Sequence, residues 1–263
     1  MTEVEYILPS TLPSTNNAYT HVVRIGDWVL VAGQTAGDMD GSVVGVGDAG
    51  AQTKQVYARL GRAMESVGGS LADIVLTKTY WTVDEAWPQI SAARAGLHGD
   101  KPPTGTRLLI ERLARPEFQL EVEAVGYLGD GEGDMATVEH IQPDGSPDNG
   151  GRYSHVVKVG PWIQIAGQTP SDVDGNVVGV GDPAAQVEQT FKNLEIALAS
   201  VGGTLADVVK TTVYVVGQEN MDAIRAARAG RFGDKPPTST LVVISGLARP
   251  EFMLEIEAIA YVE

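Results

Sequence analysis

Three kinds of side chain that can bind or move a proton recur in this sequence at one fixed offset. Tyr19 returns as Tyr153, His21 as His155 and Glu121 as Glu255, each 134 positions downstream. A carboxylate can accept a proton and give it back, a phenol can donate a hydrogen bond to a carbonyl or carboxylate, and imidazole titrates closest to neutral pH. Each residue also has a plainer reading. Glu121 and Glu123 alternate with Leu120, Val122 and Ala124, as on the polar face of an edge strand. That face either sees water or meets another sheet at an interface. Tyr19 and Tyr153 also fit half-buried aromatics with the hydroxyl at the surface. His21 and His155 each stand beside an apolar run, which favours a hydrogen-bonded core or interface histidine over an acid–base group. With one such histidine per copy and no carboxylate at a helpful spacing, no metal site is expected. Arg115 and Arg249 precede a proline; they can reach a neighbouring unit's pocket, but a salt bridge between units is the favoured expectation. Arg94 and Arg228 are expected to face solvent or an interface carboxylate. A Ser/His/Asp catalytic arrangement has no elbow motif to support it.

The offset is a property of the whole chain. Leu113-Ala114-Arg115-Pro116-Glu117-Phe118 is repeated as Leu247-Ala248-Arg249-Pro250-Glu251-Phe252, and Ala32-Gly33-Gln34-Thr35 as Ala166-Gly167-Gln168-Thr169. Roughly half of the paired positions are identical. A period this long marks a tandem domain duplication rather than a solenoid. Two domains are expected, residues 1–130 and 131–263, joined by the acidic, glycine-rich linker that follows Leu128.

The elements that must position these residues can be read from one copy. Residues 1–18, rich in Pro, Ser, Thr and Asn, read as an extended lead-in with turns. A hairpin follows, residues 21–25 and 28–32, turning at Gly26-Asp27. The glycine-rich connection 37–47 lacks the spacing of a dinucleotide or P-loop fingerprint and reads as a loop. Asp48 and Asp182 are placed as helix N-caps, the latter before Pro183. Tyr57, Leu60, Met64 and Val67 form one helical stripe, matched by Phe191, Leu194, Leu198 and Val201, and Gly68-Gly69 and Gly202-Gly203 end these helices. A strand over 74–83, a second helix around 90–95, and strands over 106–113 and 118–128 complete the unit. The order β-β-α-β-α-β-β predicts an α+β fold, a mixed sheet with helices on one face.

Composition narrows the function classes. The 263 residues carry a formal net charge of −15, which opposes nucleic acid as a partner. There is no cysteine, so disulfides, thiolate nucleophiles and cysteine-based zinc sites are excluded. No apolar run reaches the length of a membrane span, and Met1-Thr2-Glu3-Val4-Glu5 lacks a signal core, so a cytoplasmic protein without membrane contact is expected.

A tyrosine-containing tripeptide before the hairpin, Gly-Gln after its second strand, the Val-Gly-Gly-x-Leu-Ala-Asp helix end and the closing Glu-x-Glu-Ala strand together resemble the RidA/YjgF family of reactive intermediate deaminases. The likeness spans nearly the whole of each copy. It implies a chorismate-mutase-like α+β unit, three of which close into a ring with ligand clefts between neighbours. It also implies deamination of enamines and imines without metal or organic cofactor. By the same resemblance Tyr19 and Tyr153 are pocket tyrosines, Gly33 and Gly167 pocket glycines, and Glu121 and Glu255 the water-orienting carboxylates. The arginine that grips a substrate carboxylate in deaminating members falls at Gly105 and Ser239 and is missing from both copies. A serine before the pocket glycine is replaced by Ala32 and Ala166. Arg107 lies two residues after Gly105, on the same face of a strand, and can take the arginine's part in the first copy only, because its counterpart is Leu241.

The leading expectation is therefore a cofactor-free hydrolase or deaminase of a small enamine, imine or related intermediate. The alternative is a small-molecule-binding or regulatory protein that has kept the clefts and lost the chemistry. An RNA-cleaving activity sometimes attached to the family conflicts with the acidic charge. If three units make a ring, three chains of two units make a homotrimer that imitates a hexamer, with a dimer as the alternative.

Overall fold

The computed structural model describes residues 4–16, 18–129, 136–234 and 236–262. The expected domain boundary near residue 131 and most of the acidic linker lie outside these residues. The first copy contains β1 (Val4–Ile7), β2 (Val22–Ile25), β3 (Trp28–Gln34), α1 (Ala49–Glu65), β4 (Ile74–Trp81), α2 (Trp87–Arg94), β5 (Thr104–Leu109) and β6 (Leu120–Tyr127). The second contains β7 (Val138–Ile141), β8 (Val156–Val159), β9 (Trp162–Gln168), α3 (Pro183–Ala199), β10 (Val208–Val216), α4 (Met221–Arg228), β11 (Thr238–Ile244) and β12 (Leu254–Tyr261). Two six-stranded sheets result, ordered β1-β2-β3-β6-β4-β5 and β11-β10-β12-β9-β8-β7. In the second sheet β10 and β11 run parallel and the other pairs antiparallel, so the sheet is mixed. By compactness the described residues form two units, one within Met1–Pro103 and Ile110–Met135, the other within Thr104–Leu109 and Ala136–Glu263.

The helices form where the caps and stripes predict. Asp48 accepts a hydrogen bond from the amide of Ala51 and starts α1; Asp182 accepts from Ala184 and Ala185, with Pro183 at the first helical position. Past the end of α1, Gly68 takes a left-handed φ of 82° and the Gly69 amide returns to the Met64 carbonyl at 2.9 Å. In the second unit Phe191, Leu194 and Leu198 of α3 and Ile224 of α4 pack on Leu254, Ile256, Ala258 and Ala260 of β12 and on Ile163 and Ile165 of β9. Full burial of each large apolar side chain contributes about 1.5–3 kcal/mol, so this layer fixes β12 against the helices.

Two expectations are corrected. The lead-in contains a strand in each copy, β1 and β7, which pairs only with the next strand. Three of the four residues of β1 are exposed, so no alternation of apolar and polar residues announces it. The strand bearing Glu121 is no edge strand: β6 lies between β3 and β4, and β12 between β9 and β10. An interior strand leaves a glutamate only a face of the sheet, and where that face is covered, as at Glu255, an interaction must offset the burial. Among the described residues no helix is long and apolar enough to cross a membrane.

Candidate functional site

In each copy the glutamate of the central strand lies over a glycine in a β-bulge. Along β3 and β6, Val31 faces Ala124 and Gln34 faces Val122, so Ala32 and Gly33 together oppose Glu123 alone. The second copy repeats this, with Ile165 facing Ala258 and Gln168 facing Ile256. The extra residue bends the strand and brings its backbone toward the neighbouring side chain. A Cβ built on Gly33 would overlap the Glu121 carboxylate, and one on Gly167 would overlap that of Glu255. Each glycine is therefore the floor on which a carboxylate rests. Glu255 is only 4% exposed and Glu121 is half-buried. Burial raises the Glu121 pKa above the ordinary carboxylate value, the nearby charge of Glu123 adds to this, and Arg59 opposes it.

A buried amide sets the approach to this strand. Gln52, fully buried on α1, donates to the Glu117 carbonyl at 2.8 Å and accepts from the Gln119 amide at 2.9 Å. Gln186 does the same on α3, donating to Glu251 and accepting from Met253, both at 2.8 Å. One side chain thus pins both polar groups of the segment entering the strand, two residues before the glutamate.

The tyrosines and histidines flank this floor differently in the two copies. Tyr19 is 49% exposed, with its ring edge-on to His21 at 5.3 Å. Tyr153 is half-buried, edge-on to His155 at 5.1 Å. Burial raises the Tyr153 pKa, the Arg107 charge works against that rise, and the Glu255 carboxylate adds to it; Arg152 and a hydrogen bond from Asn149 lower it. So Arg107, expected to serve the first copy, lies instead within the second unit, where Tyr153 feels the fields of both Arg107 and Glu255, and three of the sequence-derived site residues are gathered there. Both histidines are buried with Nε2 on a proline carbonyl, Pro13 at 2.9 Å and Pro147 at 3.0 Å. Burial lowers both pKa values. They act as buried, hydrogen-bonded anchors of the preceding loops, in line with the plainer reading.

The remaining candidates separate. Gly105 sits half-buried in β5, two residues before Arg107. Ser239 accepts hydrogen bonds from Thr211 at 3.0 Å and from Arg228 at 3.1 Å. Arg228 is thus half-buried against a hydroxyl, neither free in solvent nor on a carboxylate. Arg115 is taken up locally, by Glu117 at 3.1 Å and the Gly41 carbonyl at 2.8 Å, and Arg249 by Glu251 and the Gly175 carbonyl. In both copies the glutamate two residues on is thus a local partner of the arginine.

One site residue was not signalled by any motif. Arg59 on α1 is only 4% exposed, and its Nη1 donates to the carbonyls of Thr35 at 3.1 Å and Gly37 at 3.2 Å, just past the bulge. Its counterpart, Asn193, makes the same two contacts without a charge, to Thr169 at 2.9 Å and Ser171 at 2.8 Å. The available signal was the Arg/Asn difference between copies at a position on the buried side of the helix.

With this geometry in hand, comparison with known proteins places the chain. It matches the Endoribonuclease L-PSP family twice, over residues 10–128 and 144–262. A RutC family protein of Pyrococcus horikoshii is 34% identical over 125 residues, which cover 48% of this chain and 98% of that protein. The 3-aminoacrylate deaminase RutC of Acinetobacter baylyi is 30% identical over 124 residues, covering 47% of this chain and 98% of that one. A chorismatase crystal structure matches 91% of this chain and 77% of its own with a TM-score of 0.67 at 17% identity, a likeness of fold alone. Two family matches in tandem, each the length of a whole relative, make the chain a duplicated member of the Endoribonuclease L-PSP family, to which the RutC and RidA/YjgF proteins belong.

Proposed function

We propose that the protein is a cofactor-free hydrolase of a small enamine or imine. The observation that carries this reading is the carboxylate seated on a bulge glycine in both copies, Glu121 on Gly33 and Glu255 on Gly167. A half-buried carboxylate with a raised pKa is suited to accept a proton and return it within one cycle. An enamine first moves a proton from nitrogen to carbon and becomes an imine. Water then adds to the imine carbon while the glutamate accepts one of its protons. The nitrogen of the resulting carbinolamine receives that proton back, the C–N bond breaks, and ammonia leaves a carbonyl product. One water is consumed and one ammonia released, with no change of oxidation state.

In the second unit Tyr153 donates to a polar group of the substrate and Arg107 binds its carboxylate; in the first, Tyr19 has the same role. The arginine-free positions Gly105 and Ser239 then point to a substrate held differently from a simple 2-imino acid. The Acinetobacter relative, whose name is that of a 3-aminoacrylate deaminase, supports an enamine acid as the class to try. The net charge of −15 argues against an RNA substrate despite the family's name. For assembly we propose a homotrimer, which light scattering would read as three times the 27.8 kDa chain mass.

The test is a panel assay in which 2-aminoacrylate, 3-aminoacrylate and cyclic imines are generated in situ and their disappearance followed. Acceleration of at least one above the rate without protein is expected. No acceleration of any, with a ligand still bound in the cleft, would leave the binding-protein reading in its place.

A further inference from the structure

We propose that Arg59 is a positioning residue, present in the first copy only, that keeps the half-buried Glu121 in its anionic, proton-accepting form. The inference rests on the reading of Glu121 as the proton-transfer group and adds to it what sets that group's charge.

The geometry begins with a substitution between copies that keeps both carbonyl contacts, the asparagine in addition accepting from Gln189 at 2.9 Å. Arg59 and Asn193 occupy equivalent places on α1 and α3, both almost fully buried, and each donates to two backbone carbonyls just after the bulge. The asparagine shows that tying the helix to this loop needs only an amide. The arginine therefore adds a buried positive charge beyond what the fold requires, and burying a guanidinium is costly. Among the described residues it has no salt bridge, and its Nε is buried without a partner. The charge is delivered at Thr35, two residues from Gly33, on which the Glu121 carboxylate rests. Burial lowers the Arg59 pKa, while Tyr19, Glu121 and Asp38 support its charge and Arg62 opposes it.

Several other groups face this carboxylate. On its own strand Glu123 repels it, but Lys78 of β4 lies 3.8 Å from Glu123 and tempers that charge. Tyr80 of β4 stands opposite Glu121 in register. Before β2, Tyr19 is exposed, and burial lowers the pKa of His21. After β3, Asp38 adds a negative charge near Arg59. Arg59 is the cation set against the desolvation of Glu121 and the repulsion from Glu123. In the second copy the corresponding helix position is neutral, and the arginine in the field of Tyr153 comes instead from β5, as Arg107.

The test follows the carboxyl carbon of Glu121 by NMR through a pH titration, with Glu255 as the internal reference. Arg59→Asn installs the second copy's own solution, so the carbonyl contacts survive and only the charge is lost. The Glu121 midpoint is expected to rise by about one pH unit or more, and to stay near the native value in Arg59→Lys. Glu255 is expected to move in neither. The converse variant, Asn193→Arg, is expected to lower the Glu255 midpoint, and it decides the matter if Arg59→Asn does not fold. With Glu255→Gln as background, the acidic limb of the pH–rate profile should shift with the Glu121 midpoint. An unmoved Glu121 midpoint in a folded Arg59→Asn protein would overturn the proposal. A shifted midpoint in a protein with no turnover would uphold the charge coupling and refute the catalytic reading, so the two fail separately.

Discussion

The Glu121 carboxylate occupies the space that a β-carbon on Gly33 would take, and Glu255 stands in the same relation to Gly167. The glycine is required because the bulge drives this backbone toward the neighbouring side chain. Gly33→Ala and Gly167→Ala should each expel their glutamate from its seat. In the double variant turnover is expected to fall by roughly a hundredfold or more, the size of a lost general acid–base contribution. Overpacking should add about 1–3 kcal/mol of destabilisation per site. Steady-state kinetics and urea unfolding of the same preparations check both numbers.

Gln52 and Gln186 hold the segments that lead into the two central strands. Replacing Gln52 by Leu leaves the Glu117 carbonyl and the Gln119 amide without their partner. The expected cost is about 2–3 kcal/mol, seen as a lower denaturant midpoint, with turnover at the first site falling because Glu121 is no longer aimed. A Gln52→Leu protein of native stability would show that the amide clamp is dispensable.

Arg107 is read here as the carboxylate-binding group of the second unit. With the first site silenced by Glu121→Gln, Arg107→Ala should raise KM by roughly 10–100-fold for a carboxylate-bearing substrate, since a hydrogen bond to a charged group contributes about 1.5–3 kcal/mol. The effect should be small for an uncharged imine. An equal loss for both substrates would assign Arg107 a structural role.

The buried histidines give stability a defined pH dependence. The pKa values of His21 and His155 are lowered by burial, so the unfolded chain binds more protons than the folded one between those lowered values and the ordinary histidine value of 6.5. The histidine contribution to stability is therefore complete above that value, falls as pH drops through it, and levels off below the folded pKa values. Glu121, with its pKa raised, works in the opposite direction at lower pH, stabilising the fold as it protonates. Denaturant midpoints across pH 5–8 should show the histidine loss, and the His21→Gln/His155→Gln variant should show a flatter profile.

Much of the fold is written as pattern. Tyr57, Leu60 and Met64 mark a helix face because they must meet one sheet, Asp48 caps it because its side chain satisfies a free amide, and the 134-residue offset shows that all this happens twice. The strand β1 escaped because four mostly exposed residues carry no alternation. The site was half legible. Glu121 and Gly33 could be named, but the bulge that brings them together depends on register between β3 and β6, which no local pattern encodes. Arg59 was hidden for a related reason: a charged residue on a helix reads as solvent-facing until the loop carbonyls that receive it are placed. Comparing the copies at each buried position, rather than only at their shared motifs, would have raised it.

The central claim, that these carboxylates move the proton in an enamine or imine hydrolysis, is tested most directly by comparing the native protein with Glu121→Gln/Glu255→Gln in the in situ enamine assay. Glutamine keeps the shape and gives up the proton chemistry. The account predicts that the native protein accelerates loss of the substrate and that the double variant, still folded and still binding a substrate analogue, loses at least about a hundredfold of that acceleration. A double variant as active as the native protein would contradict it.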